Sequence, residues 1–244
     1  MNDITVDAVF EGRLRVKQMR RGYRFSIDAV LLAYFAGPLT TETVLDLGTG
    51  CGIVPLILAC RYSDILVHGL ELQSELADIA ARNAADNGFS DRVVIHALDM
   101  KQVSPFLTSG PVDLVVCNPP FYPVGRGRIN PDCQRAVARH EIGITLFELV
   151  ETAGRMLRDD GRFAAVYPVG RLDDMLLEMR REGLEPKILR MVHPKENGPA
   201  KLFLVEGVKG GREMLEVPPP LILYRDDGVY TQEAAAMFLP TSNS

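Results

Sequence analysis

The stretch Val44-Leu45-Asp46-Leu47-Gly48-Thr49-Gly50-Cys51-Gly52-Ile53 decides the fold. A short apolar run leads into glycines at alternate positions and then into a second apolar run. This pattern predicts a buried strand, a tight turn and the start of a helix. Glycine permits positive φ and lets the backbone approach a ligand without a Cβ in the way. The first turn of the helix that follows has N–H groups without intrahelical partners. So far the description suits any nucleotide-binding α/β protein, and two details narrow it. The dinucleotide fingerprint GxGxxG needs a glycine where this chain has Ile53. The turn also opens on Asp46, whose carboxylate would repel a pyrophosphate. A ligand with an ammonium and a sulfonium and no phosphate, such as S-adenosylmethionine, would be attracted by it.

On either side of this stretch, strand-like and helix-like segments alternate. Apolar runs at 43–47, 65–70, 93–98, 112–117, 163–167, 188–192 and 202–205 read as strands covered on both faces. Helical spacing is expected over 53–60, 74–87, 146–157 and 171–182, with Gly88, Gly161 and Gly183 as stops. The connection from Pro194 to Pro199 is too short for a helical crossover, so the last two strands should be antiparallel. The order predicts an α/β fold of the Rossmann-like class I methyltransferase type. It has a seven-stranded, mostly parallel sheet with an antiparallel last strand and helices on both faces. Residues 1–40 are expected to be a basic N-terminal extension plus a helix over 27–36, capped by Ser26 and ended by Gly37-Pro38. Residues 41–244 would form the catalytic domain, closing with an irregular wrap after Pro218-Pro219-Pro220, and the whole would be one domain.

Acids recur where strands end. Glu71 closes the second strand, where a carboxylate can accept from ribose hydroxyls, with Leu72 beside it. Asp99-Met100 closes the third, offering an acceptor for an adenine amine and a thioether to pack on the ring. Together with Asp46, Gly48, Thr49, Gly50 and Gly52 these line the carboxyl edge of the sheet, where ligands bind in this architecture. The fourth strand ends in Asn118-Pro119-Pro120-Phe121-Tyr122. The lone pair of an exocyclic aromatic amine is delocalised into its ring, which makes the amine a poor nucleophile. The Asn118 side-chain oxygen and the Pro119 carbonyl can accept its two N–H bonds and aim the lone pair at a methyl donor. Prolines fix φ and preorganise these acceptors, and Phe121 can stack on a base turned out of its helix. Asn118 stands next to the donor as well, and so counts among the cofactor contacts.

Composition sets the outer limits. Hydrophobic residues make up 47% of the 244 and charged residues 24%, as in a foldable globular chain. No run approaches the roughly 18 apolar residues of a membrane span, and the N-terminus lacks the layout of a secretory signal, so a cytoplasmic protein is expected. The four cysteines form no CxxC pair and the four histidines no HExxH, which argues against a metal. A net charge of −5 argues against indiscriminate coating of nucleic acid. Basic residues nonetheless cluster at Arg13, Arg15, Lys17, Arg20, Arg21 and Arg24, and again at Arg126, Arg128, Arg135 and Arg139. Two local patches of this kind suit a phosphate backbone.

Taken together, Gln18–Ala33 (QMRRGYRFSIDAVLLA), Leu45–Gly52 (LDLGTGCG), Asn118–Tyr122 (NPPFY), Ala138–Glu141 (ARHE), Leu204–Gly210 (LVEGVKG) and Pro219–Tyr224 (PPLILY) resemble the bacterial tRNA(Val) adenine-N6 methyltransferases. These modify the adenine beside the anticodon. The resemblance covers most of the chain, and the N-terminal stretch is its most discriminating part. It implies S-adenosylmethionine as cofactor, tRNA as partner, and a Gly22–Phe25 segment folded over the cofactor, which brings in Arg24 and Phe25. It implies substrate-side roles for Arg20, Arg21, Tyr122, Arg126, Arg128, Arg139 and His140. Phe121 stands where several adenine-N6 enzymes have tyrosine and where guanine-N2 rRNA enzymes have phenylalanine, which keeps guanine N2 as an alternative target.

Three rival functions share part of this pattern. Protein-glutamine N5 methyltransferases carry the same loop, but usually with an N-terminal helical recognition domain in place of a short basic segment. A cofactor-binding, RNA-binding module without catalysis would be expected to have lost the Asn-Pro-Pro loop. A nicotinamide-dependent dehydrogenase is opposed by Asp46 and Ile53.

Overall fold

The computed structural model describes residues 4–20, 24–37, 41–119 and 145–239. Its frame is a sheet whose strands alternate their side chains between two apolar layers. Val44, Leu114 and Val116 enter one layer while Leu45, Val115 and Cys117 enter the other. A strand buried on both faces has no polar positions to spare, which explains the uninterrupted apolar runs in the sequence.

In chain order the described elements begin with a hairpin, β1 (Ile4–Val9) and β2 (Leu14–Met19), and a helix α1 (Ile27–Ala36). Then come β3 (Thr43–Leu47), α2 (Ile53–Arg61), β4 (Leu66–Glu71), α3 (Ser74–Asp86), β5 (Val93–Ala97) and β6 (Val112–Cys117). The second half holds α4 (Leu146–Met156), β7 (Leu157–Pro168), α5 (Leu172–Arg181), β8 (Leu184–Lys195), β9 (Leu202–Lys209), β10 (Leu221–Tyr224) and α6 (Gln232–Ala236). The large sheet runs β10-β8-β9-β7-β6-β3-β4-β5. Strands β5, β4, β3, β6 and β7 are mutually parallel. β9 is antiparallel to both β7 and β8, as the short connection before it required.

The fold class is as expected, with three additions. The segment that follows the prolines supplies an eighth strand, β10, parallel to β8. Only Leu221 and Leu223 of it are buried, so the run is too short to stand out as a strand in the sequence. The N-terminal basic stretch is a two-stranded antiparallel hairpin, where only an extension was expected. Its period is two: Leu14, Val16 and Gln18 face inward while Arg15 and Lys17 face out. Phe10, Glu11 and Gly12 all take positive φ at its turn. Finally, β7 begins at Leu157, and residues between Leu157 and Arg162 bulge out of its pairing with β6.

The first apolar layer packs α1, α2, α3 and the hairpin on one side of the sheet, and the second packs α4 and α5 on the other. α1 is capped by the Ser26 hydroxyl and ends at Gly37, whose φ is 34°. Among the described residues no helix is long and apolar enough to cross a membrane.

Candidate active site

Three adjacent strands end at one level. Leu47 of β3 lies between Leu70 of β4 and Cys117 of β6 in register, and Glu71 lies beside Ala97 of β5. The residues that follow are therefore neighbours along one edge: the glycine turn after Leu47, Glu71 itself, Asn118 after Cys117, and Asp99 two residues past β5. Asp46, Glu71 and Asn118, far apart in sequence, come together here.

The glycine turn has a definite shape. Gly48, Gly50 and Gly52 have φ of 77°, 58° and 83°, a region that a side chain makes costly. A Cβ on Gly52 would stand 3.0 Å from the Ala80 Cβ of α3. The turn's amides are engaged within the protein. Those of Gly48 and Thr49 donate to the Leu70 carbonyl at 3.0 and 2.8 Å, and that of Gly52 donates to the Thr49 carbonyl at 2.9 Å. The Gly50 amide donates to Glu71 Oε2 at 2.9 Å. These four N–H groups do not form an open anion cradle, in contrast to a phosphate-binding turn.

What the turn does leave open is acidic. Asp46 is buried, and neither its Oδ2 nor the Thr49 Oγ1 completes a hydrogen bond. Burial pushes the Asp46 carboxyl up to about 7, opposed by the nearby Thr49 hydroxyl and reinforced by the Glu71 carboxylate. Glu71 is itself raised by burial, against the pull of backbone amides. Its Oε1 accepts from the Gln73 amide at 2.9 Å, so each oxygen holds a backbone donor. Two desolvated carboxyls side by side favour a ligand that brings positive charge and donors. The unpartnered Asp46 and Thr49 oxygens therefore fit a cationic amino-acid ligand such as S-adenosylmethionine.

Around this centre the other expected residues take varied places. Met100 lies over the turn, its Cε 3.8 Å from where a Cβ on Gly48 would be. Asp99 caps the short helical turn Met100–Gln102, accepting from the Lys101 amide at 2.9 Å through Oδ1. Leu72 is half exposed beside Glu71. Asn118 and Pro119 are buried at the end of β6. Cys117 just before them donates its Sγ–H to the Leu47 carbonyl at 3.1 Å, and burial raises its thiol far above the ordinary range, so it serves as packing. Pro120, Phe121, Tyr122, Arg126, Arg128, Arg139, His140 and Arg21 lie outside the described residues.

Arg24 sits on the hairpin. It donates to the Thr5 hydroxyl at 2.7 Å and pairs with Asp7 at 2.6 Å. Phe25 packs against the first apolar layer, and its amide donates to Gln18 Oε1 at 2.9 Å. The Gln18 amide group in turn donates to Asp7. Arg20 is exposed just past β2. Asp7, Gln18 and Asn83 are polar residues of evident structural consequence that the sequence alone did not single out. A buried glutamine between Lys17 and Met19, in a stretch already notable for its motif, was the available signal for one of them. Among the described residues no group of three His, Cys, Asp or Glu side chains is placed to hold a metal.

Comparison with known proteins identifies the family. The model of the methyltransferase small domain family matches residues 28–171. A tRNA1(Val) (adenine(37)-N6)-methyltransferase of Porphyromonas gingivalis is 36% identical over 68% of this chain and 66% of its own length, just under two thirds of that relative. Proteins of the same name from Pedobacter heparinus and Dickeya chrysanthemi are both 31% identical, over 77% and 89% of this chain and 78% and 87% of their own. Among solved structures, one described as a predicted O-methyltransferase from Agrobacterium tumefaciens superposes with a TM-score of 0.68 at 21% identity, covering 86% of this chain and 94% of its own, which speaks to the fold. The chain belongs to the methyltransferase small domain family and, within it, to the group of proteins named tRNA1(Val) (adenine(37)-N6)-methyltransferase.

Proposed function

We propose that this chain transfers the methyl group of S-adenosylmethionine to the N6 amine of an adenine in tRNA, the adenine at position 37 that its relatives' names specify. The observation that carries the reading is the juxtaposition of Asn118-Pro119, buried at the end of β6, with the unpartnered Oδ2 of Asp46 one strand away. One site receives a cation and the next receives a planar amine.

When bound, S-adenosylmethionine supplies an electrophilic methyl on a sulfonium. Asp46 and the Thr49 hydroxyl face its charged end, Glu71 the ribose hydroxyls, and Met100 and Asp99 the adenine. Gly48, Gly50 and Gly52 let the backbone approach without side chains. Asn118 accepts one amine N–H through its side-chain oxygen and Pro119 accepts the other through its carbonyl, which localises the lone pair toward the methyl. Pro120 stiffens the loop and Phe121 stacks on the base. No strong base is required, because the amine becomes acidic only once methylated, and orientation accounts for most of the rate. Arg20, Arg21, Tyr122, Arg126, Arg128, Arg139 and His140 meet the RNA. The direction of β2 supports this for Arg20: β2 runs toward the glycine-turn end of the sheet.

The engaged amides of the glycine turn speak against a dinucleotide as ligand. Replacing Asn118 by alanine is expected to leave cofactor affinity within about threefold and to lower turnover by at least about a hundredfold, in the range of a lost transition-state hydrogen bond. Calorimetry with S-adenosylmethionine and labelled methyl transfer to tRNA lacking the modification measure the two. Parental turnover in Asn118→Ala would remove that residue from the mechanism, and methylation of guanine would move the target to N2.

A further inference from the structure

Asn83 is a fully buried asparagine in the last turn of α3, outside the residues assigned above. Its amide group makes three hydrogen bonds. Oδ1 accepts from the Lys17 amide of β2 at 2.8 Å, and Nδ2 donates to the Lys17 carbonyl at 2.9 Å. The same Nδ2 donates to the Cys51 carbonyl in the glycine turn, also at 2.9 Å. One helical turn later Asn87 repeats half of this arrangement. Its Oδ1 accepts from the Arg15 amide and its Nδ2 donates to the Arg15 carbonyl, both at 2.9 Å. Its remaining donor goes to the Asn83 carbonyl at 2.7 Å, inside α3.

The geometry has a simple origin. Four residues of helix rise about 6 Å, and two residues of strand rise about 6.6 Å. Asparagines at i and i+4 therefore match alternate residues of an antiparallel strand, each standing in for a neighbouring strand's peptide. Both asparagines fasten the hairpin, but only Asn83 also reaches the turn. The peptide it holds, the Cys51 carbonyl, lies between Gly50 and Gly52, both at positive φ and conformationally the freest kind of residue. On its other side the turn is held by Glu71 through the Gly50 amide.

We propose that Asn83 is a positioning residue for the cofactor: it fixes the Gly50–Gly52 peptides in the ligand-receiving shape and couples that shape to the N-terminal hairpin. This rests on the reading of the glycine turn as the S-adenosylmethionine site. Asn87, which holds the same strand without touching the turn, is its built-in control.

The test compares Asn83→Ala and Asn87→Ala with the parent in the full-length protein, at a temperature where circular dichroism shows each folded. Both variants should melt earlier. Asn83→Ala should weaken S-adenosylmethionine binding by about tenfold or more in calorimetry, with Asn87→Ala within about twofold of the parent. Equal affinities for Asn83→Ala and parent, or equal losses in both variants, would overturn the proposal and leave Asn83 as a fastener of the hairpin. Should Asn83→Ala not fold, hydrogen exchange on the parent decides. Added S-adenosylhomocysteine should slow the Lys17 and Arg15 amides by several fold along with the turn. Protection confined to the turn would refute the coupling. A parent that binds neither compound would instead sink the cofactor reading itself, an outcome distinct from either.

Discussion

At the scale of single residues, the unusual feature is a buried acid with one oxygen, Asp46 Oδ2, left without a hydrogen bond. Asp46 titrates near 7 because burial penalises its charge and Glu71 adds repulsion. A cationic ligand binds the ionised form, so S-adenosylmethionine affinity should rise as pH climbs from about 5.5 to 7, with protons released on binding. Calorimetry in buffers of different ionisation enthalpy measures this, and Asp46→Asn should bind weakly with no such release. The sign is opposite for the ligand-free fold. A carboxyl whose folded pKa exceeds its unfolded value favours folding below about 4, and that contribution fades as pH rises through 7. Asp46, Glu71 and Asn118 were legible in the sequence because strand ends and a glycine turn fix where they must lie. The partners of Arg24 were not. Nothing local reveals that Asp7 and Thr5 receive its guanidinium, since that contact depends on a hairpin turn formed by residues with positive φ.

At the scale of elements, start and stop chemistry is clearest in α4. α4 begins with a reciprocal cap: the Glu148 amide donates to the Thr145 hydroxyl at 3.2 Å, and the Thr145 amide donates to Glu148 Oε2 at 2.9 Å. Thr145→Ala should therefore destabilise the fold by about 1 kcal/mol. The measurement is a lower urea midpoint with an unchanged slope. α1 and α4 carry side-chain caps, α3 and α5 stop before Gly88 and Gly183, and α2 opens on the glycine turn, while the strands of the parallel core were legible because burial on both faces writes them as apolar runs. The hairpin was hidden by charge: Arg15 and Lys17 alternate with Leu14, Val16 and Gln18, and the eye takes the cations for a solvated segment. β10 was hidden by its prolines and by its brevity.

At the scale of the molecule, one cation joins parts distant in sequence. Arg162 of β7 pairs with Glu42 at 3.0 Å and with Glu206 of β9 at 3.1 Å, and it donates to the carbonyls of Ala36 and Gly37 where α1 ends. α1 has no basic residue in its own last turn, so Arg162 supplies the positive charge there. All three ionic side chains are largely buried, and burial raises the Glu206 carboxyl against the pull of Arg162. Removing the cation alone leaves two acids facing each other in a poor solvent. Arg162→Met should thus lose about 3–5 kcal/mol in denaturant unfolding. Replacing Glu42 and Glu206 by apolar residues in the same chain should recover much of that loss.

The short strand β10 has one last consequence. Its far side is closed by the chain's own return, with the Arg225 amide bonded to the Val229 carbonyl at 2.8 Å and the Thr231 amide to the Leu223 carbonyl at 2.9 Å. β10 covers the last stretch of the ladder, from Val192 to Lys195 of β8, and Glu216 bridges to Ile188, so that flank offers fewer vacant amides to a passing polypeptide. Growth of the sheet into a fibre or a swapped assembly is hindered along that stretch of the margin.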